Sequence, residues 1–341
     1  MAIRIGIVND VMLASRVLRR VLQNQPDFEV VWDAADGVEA VQKCVEDRPD
    51  IVLMDLVMPN MNGVEATRRI MIDAPCAVLV VTSTIGGHLN LVYEAMGYGA
   101  LDVTTTPVVG DSRVSDDGEA LRQKIRSLVT RPSERGARVS PAVATGAEVQ
   151  SSALVAPRLV LLGASTGGPA AIHQILRLLP RDFNAAVVVA QHIDPEFVNG
   201  LGDWLASASR LPIQLTGGET ILQAGQVYLL DSRHHAQLVG ADRLSATDQA
   251  GGSYYCPSID LLFSSAAEVA RRGSVGVLLT GMGRDGAQGL LRMRQAGLST
   301  ISQSEDSCVV YGMPRAAEAI QASAMTANPD AIGDYLIQYI Q

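Results

Sequence analysis

The stretch Arg158–Pro169, RLVLLGASTGGP, constrains this chain more than any other. Leu159, Val160, Leu161 and Leu162 follow one another without helical spacing and then give way to Gly163, Ala164, Ser165, Thr166, Gly167 and Gly168. An apolar run cut off by small residues and followed by an amphipathic segment predicts a buried parallel strand that turns sharply into a helix. Ser165 falls on that turn. Gly163-x-Ser165-x-Gly167 fits the nucleophile-elbow pattern, in which small neighbours allow a strained turn to lift the serine oxygen above the sheet edge. The free N–H groups of the next helix can then hold an oxyanion. Glycine-rich strand-to-helix turns also bind phosphate or merely permit close packing, so the pattern alone leaves three readings open.

The 341 residues suffice for two cores at about 100–200 residues per domain. No apolar run approaches the roughly 18 residues of a membrane helix, and MAIRIGIVND reads as a strand instead of a signal peptide. Cys44, Cys76, Cys256 and Cys308 form no C-x-x-C pair, which fits free thiols in a reducing cytoplasm. A formal net charge of -9 argues against a general nucleic-acid binder.

Short apolar runs alternate with amphipathic stretches from the N-terminus. Strands are predicted at 3–8, 28–32, 51–54, 77–81 and 101–103, with helices near 12–23, 37–47, 63–73, 89–98 and 117–129. Five such units predict a doubly wound parallel α/β domain over residues 1–129. Its functional edge, the carboxyl ends of the strands, collects Asn9 and Asp10, Asp55, Thr82 and Ser83, and Thr104 to Pro107. A cluster of oxygen ligands there suits Mg²⁺, although singly Asp10 reads as a helix cap and Asp55 as a turn residue.

The segment LMDLVMPNMNGVEATRRI around Asp55, with Thr82 and the GALD-x-x-x-x-P ending, resembles the receiver domain of two-component response regulators. The resemblance implies a flavodoxin-like (CheY-like) fold in which Asp55 accepts a phosphoryl group, an acidic pair holds Mg²⁺, and Thr82 and the position before Pro107 take part in switching. Two positions depart from that pattern. Asn9 replaces the first acid of the pair, and Thr106 replaces a lysine, so metal affinity and switching are both expected to weaken.

From 130 to 156 the periodicity fails. RPSERGARVSPAVATGAEVQSSA is rich in Ser, Ala, Gly, Pro and Arg and predicts a flexible linker. Beyond it, residues 157–341 again alternate: strands at 159–163, 185–190, 213–215, 227–230, 236–239 and 275–280, with 300–302 last, and helices at 169–179, 196–207, 259–271, 286–296 and 314–322. Residues 236–248 predict an antiparallel hairpin on an otherwise parallel, doubly wound sheet.

A dinucleotide site needs G-x-G-x-x-G after the first strand and an acid at the end of the next. Ser165 stands where the second glycine belongs, and the strand at 185–190 ends in Gln191 and His192. An imidazole at the neighbouring strand end is a proton acceptor for a serine. His88 and His173 read as ordinary receiver and helix residues, and the tandem His234 and His235 as turn residues or an alternative base. Asp285, in the loop GMGRDG, is the candidate to orient the imidazole; it also reads as a helix cap, and Asp231 and Asp194 are rivals.

GASTGGP, the strand-end Gln191-His192, PSIDLLFSSAA from Pro257, LLTGMGRDGAQGL around Asp285 and YGMPRAA from Tyr311 resemble the catalytic domain of CheB-type chemotaxis methylesterases, which are receiver–linker–esterase chains. The VND start and the missing lysine are similar to the WspF-like subfamily. The resemblance implies hydrolysis of glutamate γ-methyl esters, with deamidation of glutamines, on methyl-accepting chemoreceptors in the cytoplasm. It implies a catalytic Ser165, His192 and Asp285, oxyanion donors at the Thr166 and Met282 backbones, and no cofactor for the esterase. It further implies phosphorylation by a CheA-type histidine kinase, with Mg²⁺ only in the receiver, held by Asp10 and Asp55 beside Asn9. The complete serine, histidine and aspartate set weighs against the alternative, a non-catalytic signalling scaffold with a degenerate receiver.

Overall fold

The structure, a computed structural model, describes residues 2–23, 25–82, 89–107, 114–129, 156–248 and 255–340. Ser83, His88 and the expected linker, apart from Ala156, lie outside the described residues. The chain forms two compact units.

The first unit alternates as the sequence predicts: β1 (Ile3–Val8), α1 (Met12–Leu22), β2 (Phe28–Ala34), α2 (Gly37–Glu46), β3 (Ile51–Met54), α3 (Gly63–Asp73), β4 (Ala77–Thr82), α4 (Leu89–Gly97), β5 (Asp102–Thr105) and α5 (Val114–Val129). Its sheet is parallel throughout, in the order β2-β1-β3-β4-β5. The unbroken apolar runs of β3 and β4 are buried at every residue, as helices on both faces of a parallel sheet require. Asp36 and Asn62 cap α2 and α3 by accepting the N–H groups of Glu39 and Glu65. Strand order reverses between β1 and β3, which opens a crevice at their carboxyl ends. Gly63 keeps that edge compact, because a Cβ there would lie 2.0 Å from the Asp55 carbonyl oxygen.

From Arg158 the chain runs β6 (Arg158–Ala164), α6 (Gly168–Leu176), β7 (Ala185–Gln191), α7 (Val198–Ala208), β8 (Ile213–Thr216), β9 (Thr220–Ile221), β10 (Val227–Leu230), β11 (His235–Gly240) and β12 (Arg243–Thr247). It continues as α8 (Ile259–Val269), β13 (Val275–Leu278), α9 (Ala287–Gln295), β14 (Ser299–Gln303), α10 (Met313–Ala319), β15 (Met325–Ala327) and α11 (Pro329–Ile340). Seven parallel strands form the main sheet, in the order β15-β14-β13-β6-β7-β10-β8. β6 and β7 are the apolar strands that the sequence predicts, and Leu159, Leu161, Ala186 and Val188 enter one core with Leu262 and Phe263 of α8.

Two features differ from the sequence reading. The hairpin β11-β12 does not extend the main sheet; it takes up β9 into a separate antiparallel sheet of order β11-β12-β9. The strand at 299–303 is not the last either, since β15 and α11 follow it. α11 turns Ile332, Leu336 and Ile340 inward at helical spacing.

Candidate active site

β6 is the first strand of its sheet, and the chain continues to β7 on one side and later to β13 on the other. The site therefore forms at a topological switch point, at three adjacent strand ends. Ser165 leaves β6, His192 leaves β7, and Asp285 lies in the loop from β13 to α9. Ala164 pairs with Gln191, and the His192 N–H donates to the Ala164 carbonyl at 2.9 Å, which sets the histidine backbone beside the serine turn. On the other flank the Ser165 N–H donates to the Thr280 carbonyl at 3.0 Å. Thr280 is itself fixed, its N–H on Gln303 Oε1 and its hydroxyl on the Thr166 carbonyl.

Left-handed backbone falls on Gly167, at φ +79, whereas Ser165 has no positive φ. Gly167 N-caps α6, and a Cβ on it would sit 2.5 Å from Val309. Gly281 serves the same close approach from β13, because a Cβ there would lie 2.6 Å from Ser165 Cβ. The glycines thus shape the site by close packing.

His192 Nε2 lies 3.0 Å from Asp285 Oδ2, with the two side chains 8% and 7% exposed. The same carboxylate accepts the Ile259 N–H at 2.8 Å, the Asp260 N–H at 3.0 Å and the Ser258 hydroxyl at 3.4 Å. Those donors are the first turn of α8, whose unpaired N–H groups and dipole favour an anion. Burial pushes the Asp285 carboxyl up, but the His192 contact and the backbone donors outweigh it and hold it below its ordinary value. An ionised Asp285 can only accept, so His192 Nε2 carries the proton and neutral imidazole keeps its lone pair on Nδ1. Nδ1 is buried and has no hydrogen-bond partner among the described residues. Ser165, on the neighbouring strand end, is half-buried.

A second cluster occupies the first unit's carboxyl edge. Asp55, 8% exposed, accepts the Leu56 N–H on Oδ1 at 2.7 Å and the Asn9 amide on Oδ2 at 3.0 Å. The Asn9 carbonyl oxygen accepts the Val11 N–H at 2.8 Å. Burial raises the Asp55 pKa, its own loop N–H groups oppose this, and the charge of exposed Asp10 adds to the rise. The Thr106 N–H donates to the Thr82 carbonyl at 3.0 Å, while the buried Thr106 hydroxyl has no partner among the described residues.

Residues 160–336 match the model of the CheB methylesterase family, and residues 5–112 that of the response regulator receiver domain. Protein-glutamate methylesterase/protein-glutamine glutaminase 3 of Pseudomonas aeruginosa is 46% identical over 339 residues, covering 98% of this chain and 99% of the relative. The chain belongs to the CheB methylesterase family. A second relative, protein-glutamate methylesterase/protein-glutamine glutaminase 1 of Pseudomonas fluorescens, is 46% identical over 335 residues and covers 98% of each chain. The crystal structure of the Thermotoga maritima CheB methylesterase catalytic domain matches 54% of this chain and 99% of its own length, with 28% identity and a TM-score of 0.52.

Within this CheB fold the structure separates the candidates raised by the sequence. Asp194 caps the short turn at Glu196, and Asp231 pairs with Arg233; neither contacts His192. His234 faces Asp248, while His235 Nδ1 accepts the Ser258 N–H and so steadies the start of α8. His173 is half-buried on α6, where burial and Arg177 lower its pKa. Thr166 is buried just behind Ser165, and Met282 directly follows Gly281. Three residues take roles here that the sequence reading did not give them. Tyr255 stacks on the His192 ring with centroids 4.9 Å apart and planes 11° from parallel. Asp260 joins α8 to α9 by accepting the Gly289 N–H, and the Gln191 amide donates to both the Ser165 and the His192 carbonyls. Only the Ser258 cap, in P-S-x-x-L, carried a local signal.

Among the described residues no group of three or more His, Cys, Asp or Glu side chains gathers at this edge, so a divalent cation would find only the Asp10 and Asp55 carboxylates there. Asp55 is raised by burial and by the nearby Asp10 charge, an arrangement that a hard cation relieves. Asn9 contributes less than an acid would, since its nitrogen faces Asp55 and its oxygen already accepts Val11.

Proposed function

We propose that this chain hydrolyses glutamate γ-methyl esters, and deamidates glutamines, on the cytoplasmic helices of methyl-accepting chemoreceptors, under control of its own receiver. The observation that carries the reading is the Asp285–His192 pair beside Ser165, in a chain whose relatives are named protein-glutamate methylesterase/protein-glutamine glutaminase.

In this mechanism His192 Nδ1 takes the Ser165 Oγ proton as Oγ attacks the side-chain carbonyl carbon. The carbonyl electron pair moves to oxygen, and the Thr166 and Met282 backbone N–H groups stabilise that oxyanion. Collapse expels the leaving group, which takes the proton from His192 and departs as methanol, or as ammonia from glutamine. Water then gives a proton to His192 and attacks the acyl-enzyme, releasing glutamate and restoring Ser165. Asp285 stays ionised throughout and stabilises the imidazolium. A hydroxyl–imidazole contact that is loose in the free enzyme tightens when substrate is bound.

The proposed organisation is a receiver over 1–129, a linker over 130–156 and a cytoplasmic esterase over 157–341. Asp55 accepts a phosphoryl group from a CheA-type histidine kinase, and Thr82 and Thr106 are the switch positions. Asp10 and Asp55, with Asn9, would hold Mg²⁺, whose charge offsets that of the carboxylates and the incoming phosphoryl group. A ligand shifts a two-state equilibrium only by its differential interaction with the two states, and Thr106 offers no ammonium to pair with the phosphoryl group. Wild type is therefore expected to be phosphorylated slowly and activated modestly. Asn9→Asp with Thr106→Lys should raise Mg²⁺ affinity and the phosphorylation-dependent gain together, by calorimetric titration and by methanol release with and without acetyl phosphate. Strong Asp55-dependent activation of wild type that the double variant leaves unchanged contradicts this.

Methanol release from methylated receptor membranes tests the function. The fragment 157–341 should release methanol faster than the unphosphorylated full chain, because the receiver restrains the esterase. Equal rates would remove the restraint, and no release by either protein would remove the function.

A further inference from the structure

We propose that Gln191 is a positioning residue for ester hydrolysis, a clamp that joins the peptide of the nucleophile to the peptide of the base. Its side chain is 2% exposed, and its Nε2 donates to the Ser165 carbonyl and to the His192 carbonyl, each at 2.8 Å. Both partners are carbonyls, which only accept. The nitrogen therefore faces them, and its two hydrogens are both used.

The other end of the amide shows what is given up for this contact. Gln191 Oε1 is buried and has no hydrogen-bond partner among the described residues, a state that costs stability and that an apolar side chain would avoid. Gly168 leaves room for it, since a Cβ there would lie 2.1 Å from that oxygen. A residue serving packing alone would not bring an unpaired oxygen into the core. The nitrogen end accounts for the amide.

Its placement explains why the reaction depends on it. Regular pairing of β6 with β7 ends at Ala164–Gln191, so the Ser165 and His192 peptides lie just beyond the ladder. The His192 N–H still reaches the Ala164 carbonyl, and the Gln191 amide then bridges from the His192 carbonyl back to Ser165. Tyr255 stacks against the imidazole ring, and Asp285 holds Nε2. With the ring so fixed, the serine backbone must be fixed to the same frame for Oγ to meet Nδ1, and the clamp does this.

The inference rests on the proposed roles of Ser165 and His192, and it is tested with the full chain. Gln191→Met keeps length and apolar bulk but has no donor. It should keep the thermal midpoint within a few degrees and lower kcat for methanol release roughly 10- to 100-fold, the scale of a small misplacement of reacting groups. KM should move by less than about 3-fold, because the loss falls on the transition state. Labelling of Ser165 by a fluorophosphonate should slow in parallel.

Gln191→Glu supplies the sign. As a carboxylate it faces two carbonyl oxygens, and once protonated its O–H restores one donor. Its kcat per folded molecule, relative to wild type, should rise as pH falls, whereas a packing role would move only the denaturation midpoint with pH. Wild-type kcat in a folded Gln191→Met protein overturns the proposal, and so does loss of fold in both variants, which would assign the amide to folding. Full activity of Ser165→Ala would instead overturn the esterase reading itself.

Discussion

Ser165→Ala and His192→Ala should each lower methanol release from a methylated receptor by roughly 10⁴-fold or more while leaving the protein folded, as losses of a nucleophile or its base do in other serine hydrolases. Removing either one disables the same proton transfer and attack, so the double variant should be little worse than the single ones. Neither side chain is needed to form the strand ends. Ser165 is half-buried at a turn whose backbone bonds run through main-chain atoms and the Gln191 amide. His192 holds its strand-end place through its own N–H. Steady-state kinetics and thermal melts on the same preparations check both halves. Full activity in a folded His192→Ala protein would remove His192 as the base, and loss of activity on His235→Ala instead would move the base there.

Asp285 should separate activity from stability. In Asp285→Asn one oxygen becomes an NH₂ group while every partner of the carboxylate remains a donor: His192 Nε2–H, two backbone N–H groups of α8 and the Ser258 hydroxyl. Oδ1 accepts the Asp260 N–H and the Ser258 hydroxyl, and Oδ2 the Ile259 N–H and Nε2–H, so the amide oxygen can satisfy only one of these pairs. If it takes the Oδ1 place, the NH₂ group faces Nε2 and drives the proton to Nδ1, where the base is needed. An expected loss of about 10²- to 10⁴-fold in kcat follows, with modest destabilisation. Asp285→Ala leaves the α8 donors buried and unpaired, and should cost about 3–5 kcal/mol, read as a fall in the denaturation midpoint. The pH dependence has a fixed sign. The folded carboxyl lies below its ordinary value of 3.8, so its contribution is fully present above that value and is lost as pH falls through the lower, folded value. Acid unfolding of wild type should therefore be steeper than that of Asp285→Ala. Equal acid profiles would show that the carboxylate gains nothing from α8 and His192.

Much of this was legible in the chain because parallel strands buried on both faces write unbroken apolar runs. β1, β3, β6, β7 and β10 lie where those runs lie, and the carboxyl-end rule then brings Ser165, His192 and Asp285 to one edge. Two-residue β9 and three-residue β15 are too short to show a period, so the separate sheet and the outer edge of the main sheet were not legible. α11 was legible in principle, since Ile332, Leu336 and Ile340 recur at helical spacing after Pro329. The G-x-S-x-G spacing cannot say which of its residues takes the left-handed backbone; here it is Gly167. Tyr255 and Gln191 act through tertiary contacts, a ring stack and an amide bridge, that leave no local pattern. Asn9 and Thr106 could be seen as departures, but not that the Asn9 amide would rest on Asp55 itself.

Rapid-quench mass spectrometry of the full chain during turnover of a methyl-glutamate ester reads directly whether Ser165 carries the acyl group of the substrate. A covalent adduct equal to the substrate acyl group is expected, confined to the peptide that contains Ser165, forming with the release of methanol and absent from Ser165→Ala. Steady turnover with no adduct, in a protein whose Ser165→Ala variant is equally active, would contradict that acyl-enzyme.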